Sequence, residues 1–378
     1  MTDGGTARTG LTVRVVDELP AFEALRSEWS SALATSADPN VFLTWEWLRT
    51  WWQHFGEPNP DATLHVVVVR DGAGLVAAAP LFREVRRTGP LTAAVLRQIS
   101  FDAGDYGGIL LVRRHDEAVD LLLRHLAAEL RGGVSTVLLS RLADDSVFLE
   151  HLRSRLAAIG PAAGLASDEV ALDGPCPYAD VSGGYNLQRH LKKHKVRQRM
   201  RRISEKYDVQ FAWHSGPTLE DGLERLVDVH RQRWEGREDD LQGQLADPEH
   251  EAFLLDTLRA MDDQGWLRLL VLTADGRTVG AELDFEFARR VYMFKGAFDP
   301  EFGEFSPGQL LTYRVFEEGI AAGVQQFDFL RGDHPYKRRW ADQDRSLFAV
   351  TLTRPGLAGR LAHARLRAAQ VLGRLRRA

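Results

Sequence analysis

The chain has 378 residues, 44% hydrophobic and 27% charged, the balance of an ordinary globular protein long enough for two compact units. A formal net charge of -5 gives no bulk attraction to nucleic acid, and a single cysteine, Cys176, excludes an internal disulfide and a Cys-rich zinc site. No apolar run approaches the roughly 18–20 residues of a membrane span, and the polar start, residues 1–10, has no secretory apolar core, so a cytoplasmic protein with a disordered N-terminus is expected.

In chain order, residues 11–16 read as a strand. Residues 21–34 read as a helix with Phe22, Leu25, Trp29 and Leu33 at helical spacing. Residues 40–54 carry Phe42, Trp45, Trp47, Trp51 and Trp52, a core helix or the wall of a ligand cleft. A hairpin, 64–69 with 75–83, turns at Asp71-Gly72. A strand over 109–112, a helix over 117–131, a strand over 136–140 and a helix over 145–159 follow. Residues 160–177 lose periodicity and are rich in Gly, Ala and Pro, so the domain boundary belongs there, with Cys176 as a linker residue between Pro175 and Pro177.

The second half repeats the order of the first. Residues 189–207 form a helix dense in Lys and Arg over a thin stripe of Val196, Met200, Ile203 and Tyr207, either a solvated face or an anion-capturing one. Helices over 219–234 and 248–263 precede a hairpin, 267–272 with 278–287, around Asp275-Gly276. A strand over 291–297, a helix over 307–322 and strands over 325–330 and 346–353 complete the unit. The two hairpins share position, turn and strand length, which reads as an internal duplication. The tail, 354–378, spaces Leu357, Leu361, Ala364, Ala368, Val371 and Leu375 as one narrow apolar stripe among arginines, either packed on the chain's own domains or laid weakly on an anionic membrane.

Three patterns carry chemistry. Ser306-Pro307-Gly308 opens a helix, Ser306 suiting the N-cap and Pro307 the first turn, so free N–H groups and the dipole face the preceding loop as an anion site. No Gly-x-x-x-x-Gly-Lys-Ser/Thr follows, which argues against a nucleotide P-loop. The stretch 325–340 ends a strand in Asp328, Arg331, Asp333, Tyr336 and Lys337, polar groups at a sheet rim. His230-Arg231-Gln232-Arg233-Trp234 sets a histidine on the apolar side of its helix, with no second ligand at metal spacing, so no metal is expected there. A Gly-x-Ser-x-Gly elbow is absent, which leaves hydrolase chemistry without support.

The order helix, helix, hairpin, strand, Ser-Pro-Gly helix, strand resembles the GNAT acyltransferase fold. Lys192-Lys193-His194-Lys195-Val196-Arg197-Gln198-Arg199, His230-x-x-Arg233-Trp234, Ser306 through Leu311, and Phe327 through Trp340 are similar to the CelD/BcsL-type acetyltransferases, which are related to the FemABX peptidyltransferases. Phe42-x-x-Trp45, Trp52, Pro80-Leu81 and Asp105-Tyr106 extend the resemblance into the first half. It implies an α/β (α+β) chain of two tandem GNAT-like domains, each a mixed, mostly antiparallel sheet flanked by helices. Residues 11–165 would form the N-terminal domain, 166–353 the C-terminal acetyltransferase domain and 354–378 a basic amphipathic helix. Acetyl-CoA or another acyl-CoA would lie where the strands 291–297 and 325–330 splay, held by Ser306, Gly308, Gln309 and Leu310, although the usual pyrophosphate loop survives only as Gly303 and Gly308. Asp328, Glu282 and Asp333 are the candidate bases, with Asp284 a fourth carboxylate near the acceptor. Tyr336 would protonate the thiolate, and Lys337 or Arg331 would hold negative charge. His230, Arg233, Trp234, Asp284 and Arg331 would meet a small-molecule or saccharide acceptor of envelope or polysaccharide metabolism. The rivals are a Fem-type transferase using aminoacyl-tRNA, the sole route to a nucleic-acid partner, and a non-catalytic scaffold of envelope assembly.

Overall fold

The computed structural model describes residues 10–88, 91–172, 174–185, 187, 195–234 and 248–356, the side chains of Thr88, Leu91, Arg233 and Trp234 excepted. They divide into two compact units, one drawn from Met1–Asp173 and Ser346–Ala378, the other Gly174–Arg345.

The first unit opens with strand β1 (Thr12–Val16) and helices α1 (Leu19–Glu23), α2 (Arg26–Ala34) and α3 (Trp45–Trp51). The aromatic run is core. Trp29 and Trp47 are fully buried, and their indole N–H groups donate to the Leu43 carbonyl at 2.8 Å and Ser100 Oγ at 2.6 Å. A buried indole needs such a partner, so the aromatic run gains its apolar area without an orphaned donor. Strands β2 (Ala62–Leu64), β3 (Val66–Asp71), β4 (Gly74–Ala79), β5 (Leu81–Thr88), β6 (Leu91–Gln98) and β7 (Leu110–Leu111) follow, then helix α4 (His115–Arg131), strand β8 (Val134–Ala143), helix α5 (Val147–Ala163) and strand β9 (Ala166–Ala171). His65 and Pro80 each stand at a step from one sheet to the other, β2 to β3 and β4 to β5. The hairpin of β5 and β6 is missing from the sequence reading. Its arginines hide the alternation: Arg86 and Arg97 both reach Glu84, at 2.8 and 3.1 Å, and so lie comfortably on a sheet.

The second unit holds strand β10 (Cys176–Asp180), helix α6 (Val196–Ser204), strand β11 (Val209–His214), helices α7 (Leu219–Trp234) and α8 (Pro248–Asp263), strands β12 (Leu267–Ala274), β13 (Arg277–Phe287) and β14 (Arg290–Phe298), helix α9 (Pro307–Ala321), and strands β15 (Gln326–Asp328) and β16 (Gln343–Arg345). They form one sheet in the order β11-β12-β13-β14-β15-β10-β16, in which only β14 and β15 run parallel. A Cβ on Gly280 of β13 would touch Leu311 and Pro307, and one on Gly222 of α7 would touch Leu269 of β12. Helix α9 therefore covers the face carrying Gly280, Glu282 and Asp284, and α7 covers the opposite face.

Three expectations are corrected. Strand β17 (Leu347–Thr353) belongs to the first unit, where it pairs with β8 and β9 and completes a sheet ordered β2-β5-β6-β8-β17-β9 beside the four-stranded β1-β3-β4-β7. Period-2 burial of Val350 and Leu352 announces a strand but does not say which sheet receives it. The boundary after 165 moves to 173/174, because β9 is still part of the first unit. Cys176 is not a linker residue: it is buried in β10 and pairs across to Arg345. Residues 1–9, the first part of the basic helix (189–194) and the tail from 357 onward lie outside the described residues. Among the described residues, no helix is long and apolar enough to cross a membrane.

Candidate functional site

The parallel ladder of β14 and β15 holds only three pairs, Arg290–Tyr292 with Gln326–Asp328. Beyond Asp328 the chain follows β10 instead: the N–H groups of Phe329 and Gly332 donate to the carbonyls of Pro177 and Pro175, at 2.9 and 3.0 Å. Leu330, at φ 58°, and Gly332, at φ 109°, make that departure. Lys337 locks it, its buried ammonium donating to the Leu330 and Arg331 carbonyls at 3.2 and 2.7 Å. From Met293 onward β14 has no strand partner on this side among the described residues. The opened edge offers backbone donors and acceptors to an extended ligand.

Two carboxylates stand beside that edge. Glu282 and Asp284 alternate along β13 toward α9. A bulge at Phe294 shifts the β13–β14 register between them, so Glu282 faces Gly296 and Asp284 faces Met293. A Cβ at Gly296 would come within 2.9 Å of Glu282 Oε2, so glycine there makes room for the carboxylate over the strand. Asp284 is fully buried and neither oxygen has a hydrogen-bond partner, the Phe294 N–H approaching without completing one. Burial first, and the neighbouring negative charge of Glu282 second, push its carboxyl well above the usual carboxylate range. Asp284 thus holds its proton more readily than an ordinary carboxyl, and Glu282 stands beside exposed Gly296.

The start of α9 lies on the same stretch of β14. Gly308 is in contact range of Phe298, two residues along from Gly296. Ser306 occupies the N-cap position, but at φ 53° and without a side-chain cap; its carbonyl accepts from Gln309 N–H at 2.9 Å. The expectation of a hydroxyl cap is corrected, since a left-handed backbone aims the side chain away from the helix N–H groups. Gln309 Oε1 accepts from Arg199 at 2.7 Å, and the Leu310 side chain is core, which leaves its backbone as the part at the first turn.

Other expected residues fall elsewhere. Asp328 is fully buried, accepts from Arg345 at 2.7 Å and from Leu330 N–H at 2.9 Å, and Arg345 also lies over the Tyr178 ring. Its role as the base is corrected: those bonds occupy it as the inner half of an ion pair. Lys337 likewise serves loop carbonyls rather than a phosphate. Asp333 is exposed and bound by Arg338, which holds its carboxyl below the usual range. Tyr336 is 49% exposed on the rim next to the His334 ring, and Arg331 is exposed. His230 is buried in α7, on the helix that covers the other face of the sheet from Glu282. The structure gathers Glu282, Asp284 and the Gly308 turn, and does not gather His230 with them. Sequence reasoning missed Gly296 and Arg345; the signals were a glycine inside a strand and an arginine whose strand is too short for periodicity.

The first unit has a parallel pair of its own, β6 with β8. There the opening is filled from within. Gln98 donates to the Gly108 carbonyl at 3.0 Å and accepts from Ser140 N–H, and Gly107 packs where a Cβ would meet the Ser140 carbonyl at 2.0 Å.

Residues 191–338 match the family model described as an acetyltransferase (GNAT) domain. No curated protein matches the chain. Among solved structures, the chain is similar to FemX, with a TM-score of 0.60 at 12% identity over 90% of this chain and 98% of that one. It is also similar to a conserved protein of unknown function from Bacteroides thetaiotaomicron VPI-5482, with a TM-score of 0.53 at 12% identity over 90% of this chain and all of the other. At such identity the likeness is one of fold. The splayed parallel pair of β14 and β15 and the helix between them lie within the residues, 191–338, that match this family model.

Proposed function

We propose that the second unit transfers an acyl group from a CoA thioester to an amine or hydroxyl acceptor. One observation carries the reading: an opened β14 edge runs from the α9 start at Gly308 to a buried carboxyl pair at Glu282 and Asp284. The donor's extended arm would lie along β14 beyond Tyr292, where the ladder to β15 has ended, and its phosphates would lie against the first turn of α9. The acceptor nitrogen or oxygen attacks the thioester carbonyl carbon, the new C–N or C–O bond replaces the C–S bond, and CoA leaves as the thiol. Glu282 receives the acceptor's proton, and Tyr336 at the rim returns one to the departing sulfur. Asp284, kept protonated by burial, sets the charge of the pair without touching substrate. Acetyl is the acyl group, and a small-molecule or saccharide amine or hydroxyl the acceptor, that the family resemblance implies.

The test is thiol release from acetyl-CoA with a panel of amino sugars and amines, preceded by mass spectrometry of small molecules retained by the purified protein. Glu282→Gln is expected to lower turnover by about 10²–10⁴-fold, the worth of one positioned base, with donor affinity unchanged. Parental turnover in that variant would overturn the assignment of the base. A Fem-type reading, with aminoacyl-tRNA as donor, draws on the fold likeness to FemX over 90% of this chain. Against it, the basic helix α6 spends charge internally: Arg202 and Lys206 both reach Glu304, at 2.7 and 3.3 Å, and Arg201 reaches Glu205. Comparing affinities for CoA and for charged tRNA separates the two.

A further inference from the structure

We propose that His65, His125 and Glu129 form a site for a divalent transition-metal ion of zinc's class in the first unit. Helix α4 sets His125 and Glu129 one turn apart, on the same side. His65 comes from the step between β2 and β3, where the chain passes from one sheet to the other. The three candidate ligand atoms converge. His65 Nε2 lies 3.4 Å from His125 Nε2 and 3.9 Å from Glu129 Oε1, and His125 Nε2 lies 3.7 Å from the same oxygen. A point equidistant from the three lies about 2.1 Å from each, the length of a zinc bond to imidazole or carboxylate. A tetrahedral site spaces its ligands about 3.3–3.4 Å apart, so closure needs shifts of a few tenths of an ångström.

The chemistry of the set selects the ion. Two imidazoles and one carboxylate suit zinc and its neighbours in the first transition row, whereas calcium and magnesium take oxygen ligands. The side chains are 11%, 18% and 27% exposed, sheltered yet open enough for a water in the fourth position. Burial, outweighing the pull of Glu129, pushes both imidazoles below their ordinary pKa. Arg83 and Asp17 also face His65, with opposing effects. Without an ion, the close Nε2 contact is satisfied by one N–H···N hydrogen bond. With one, both rings turn a lone pair to the metal and carry their proton on Nδ1. The ion would tie α4 to the step between the sheets, and it takes no part in the transfer chemistry of the second unit. In the sequence the set shows only as His125-x-x-x-Glu129, because its third ligand, His65, is remote in the chain.

The experiment titrates the chelator-treated full chain with Zn²⁺ by calorimetry, with Co²⁺ as a spectroscopic stand-in. One equivalent should bind, the melting temperature should rise, and Co²⁺ should show the intense visible bands of a four-coordinate site. His125→Gln and Glu129→Gln should each lower the affinity at least tenfold while keeping the parental metal-free melting temperature. His151→Gln serves as control: it removes the partner of a separate histidine pair, His115 with His151, already engaged at Asp116, and should bind Zn²⁺ as the parent does. Equal affinity in parent, His125→Gln and Glu129→Gln would overturn the site, as would a weak six-coordinate Co²⁺ spectrum or no binding. If either glutamine variant fails to fold, His65→Gln with the Co²⁺ spectrum decides in the same way.

Discussion

Asp284 costs the folded chain something that grows with pH. Its carboxyl is raised by burial and by Glu282, so the folded state prefers the proton more than the unfolded chain does. A raised acid stabilises the fold fully below its unfolded pKa, near the ordinary 3.8, and that contribution is lost as pH rises toward the folded value. Asp284→Asn does not titrate. Its unfolding free energy relative to the parent should therefore climb from about pH 4 upward, with a slope tending to about 1.4 kcal/mol per pH unit for one proton. Denaturant melts at three pH values measure it, and a flat difference would show that the pair shares its charge with some other donor. Asp328, by contrast, is an ion-paired carboxylate. Both it and Arg345 are almost wholly buried, so Asp328→Ala leaves an unpaired guanidinium and should cost about 3–5 kcal/mol. The double change Asp328→Leu with Arg345→Met should recover most of that loss. A sequence shows the two carboxylates 328 and 284 as equals. Only the fold separates the paired one from the orphan, because Arg345 arrives from a three-residue strand seventeen positions on.

Elements were more legible than sites. The helices over 117–131, 145–159, 219–234 and 248–263 stand within a few residues of their expected ends because their apolar spacing is long and regular. Both hairpins turn at the expected Asp-Gly pairs, and in each unit a helix later leads into a strand that pairs in parallel. Two short pieces were illegible: β10 and β16 offer five and three residues, too few for a period. Yet their pairing makes the splay, since β10 draws the chain after Asp328 away from β14. Helix α9 carries the prediction at this scale. Among the described residues, a Cβ on Gly308 would meet Phe298 alone, at 3.6 Å, so Gly308→Val should leave unfolding stability within about 1 kcal/mol of parental while blocking a ligand's approach to the first turn. Acyl-CoA affinity should fall at least tenfold by calorimetry. Unchanged affinity would remove α9 from the donor site.

At the level of the whole chain, the second unit is inserted between two neighbouring strands of the first. β9 precedes it, β17 follows it, and β17 lies between β8 and β9 in the sheet. Reading in order makes residue 353 the end of the second unit, and the physical reason is simple: a strand's burial pattern reports that a sheet exists, not its address. The insertion has a consequence for stability. Leu347, Val350 and Leu352 are all at or below 1% exposure, and full burial of each such side chain contributes about 1.5–3 kcal/mol. Together with the ladders on both sides of β17, that matches the 5–15 kcal/mol by which a whole domain is commonly stable. A chain ending at Arg345 should therefore keep a cooperative melt for Gly174–Arg345 and lose the one belonging to the first unit, whose β8 and β9 would face each other across an empty strand position. A chain ending at Gly356 retains β17 and should melt as the parent does. Calorimetry of the two truncations, with proteolysis to identify which unit has opened, distinguishes them. Retention of both transitions in the shorter chain would mean that β8 and β9 close upon each other and that β17 is dispensable to the first unit.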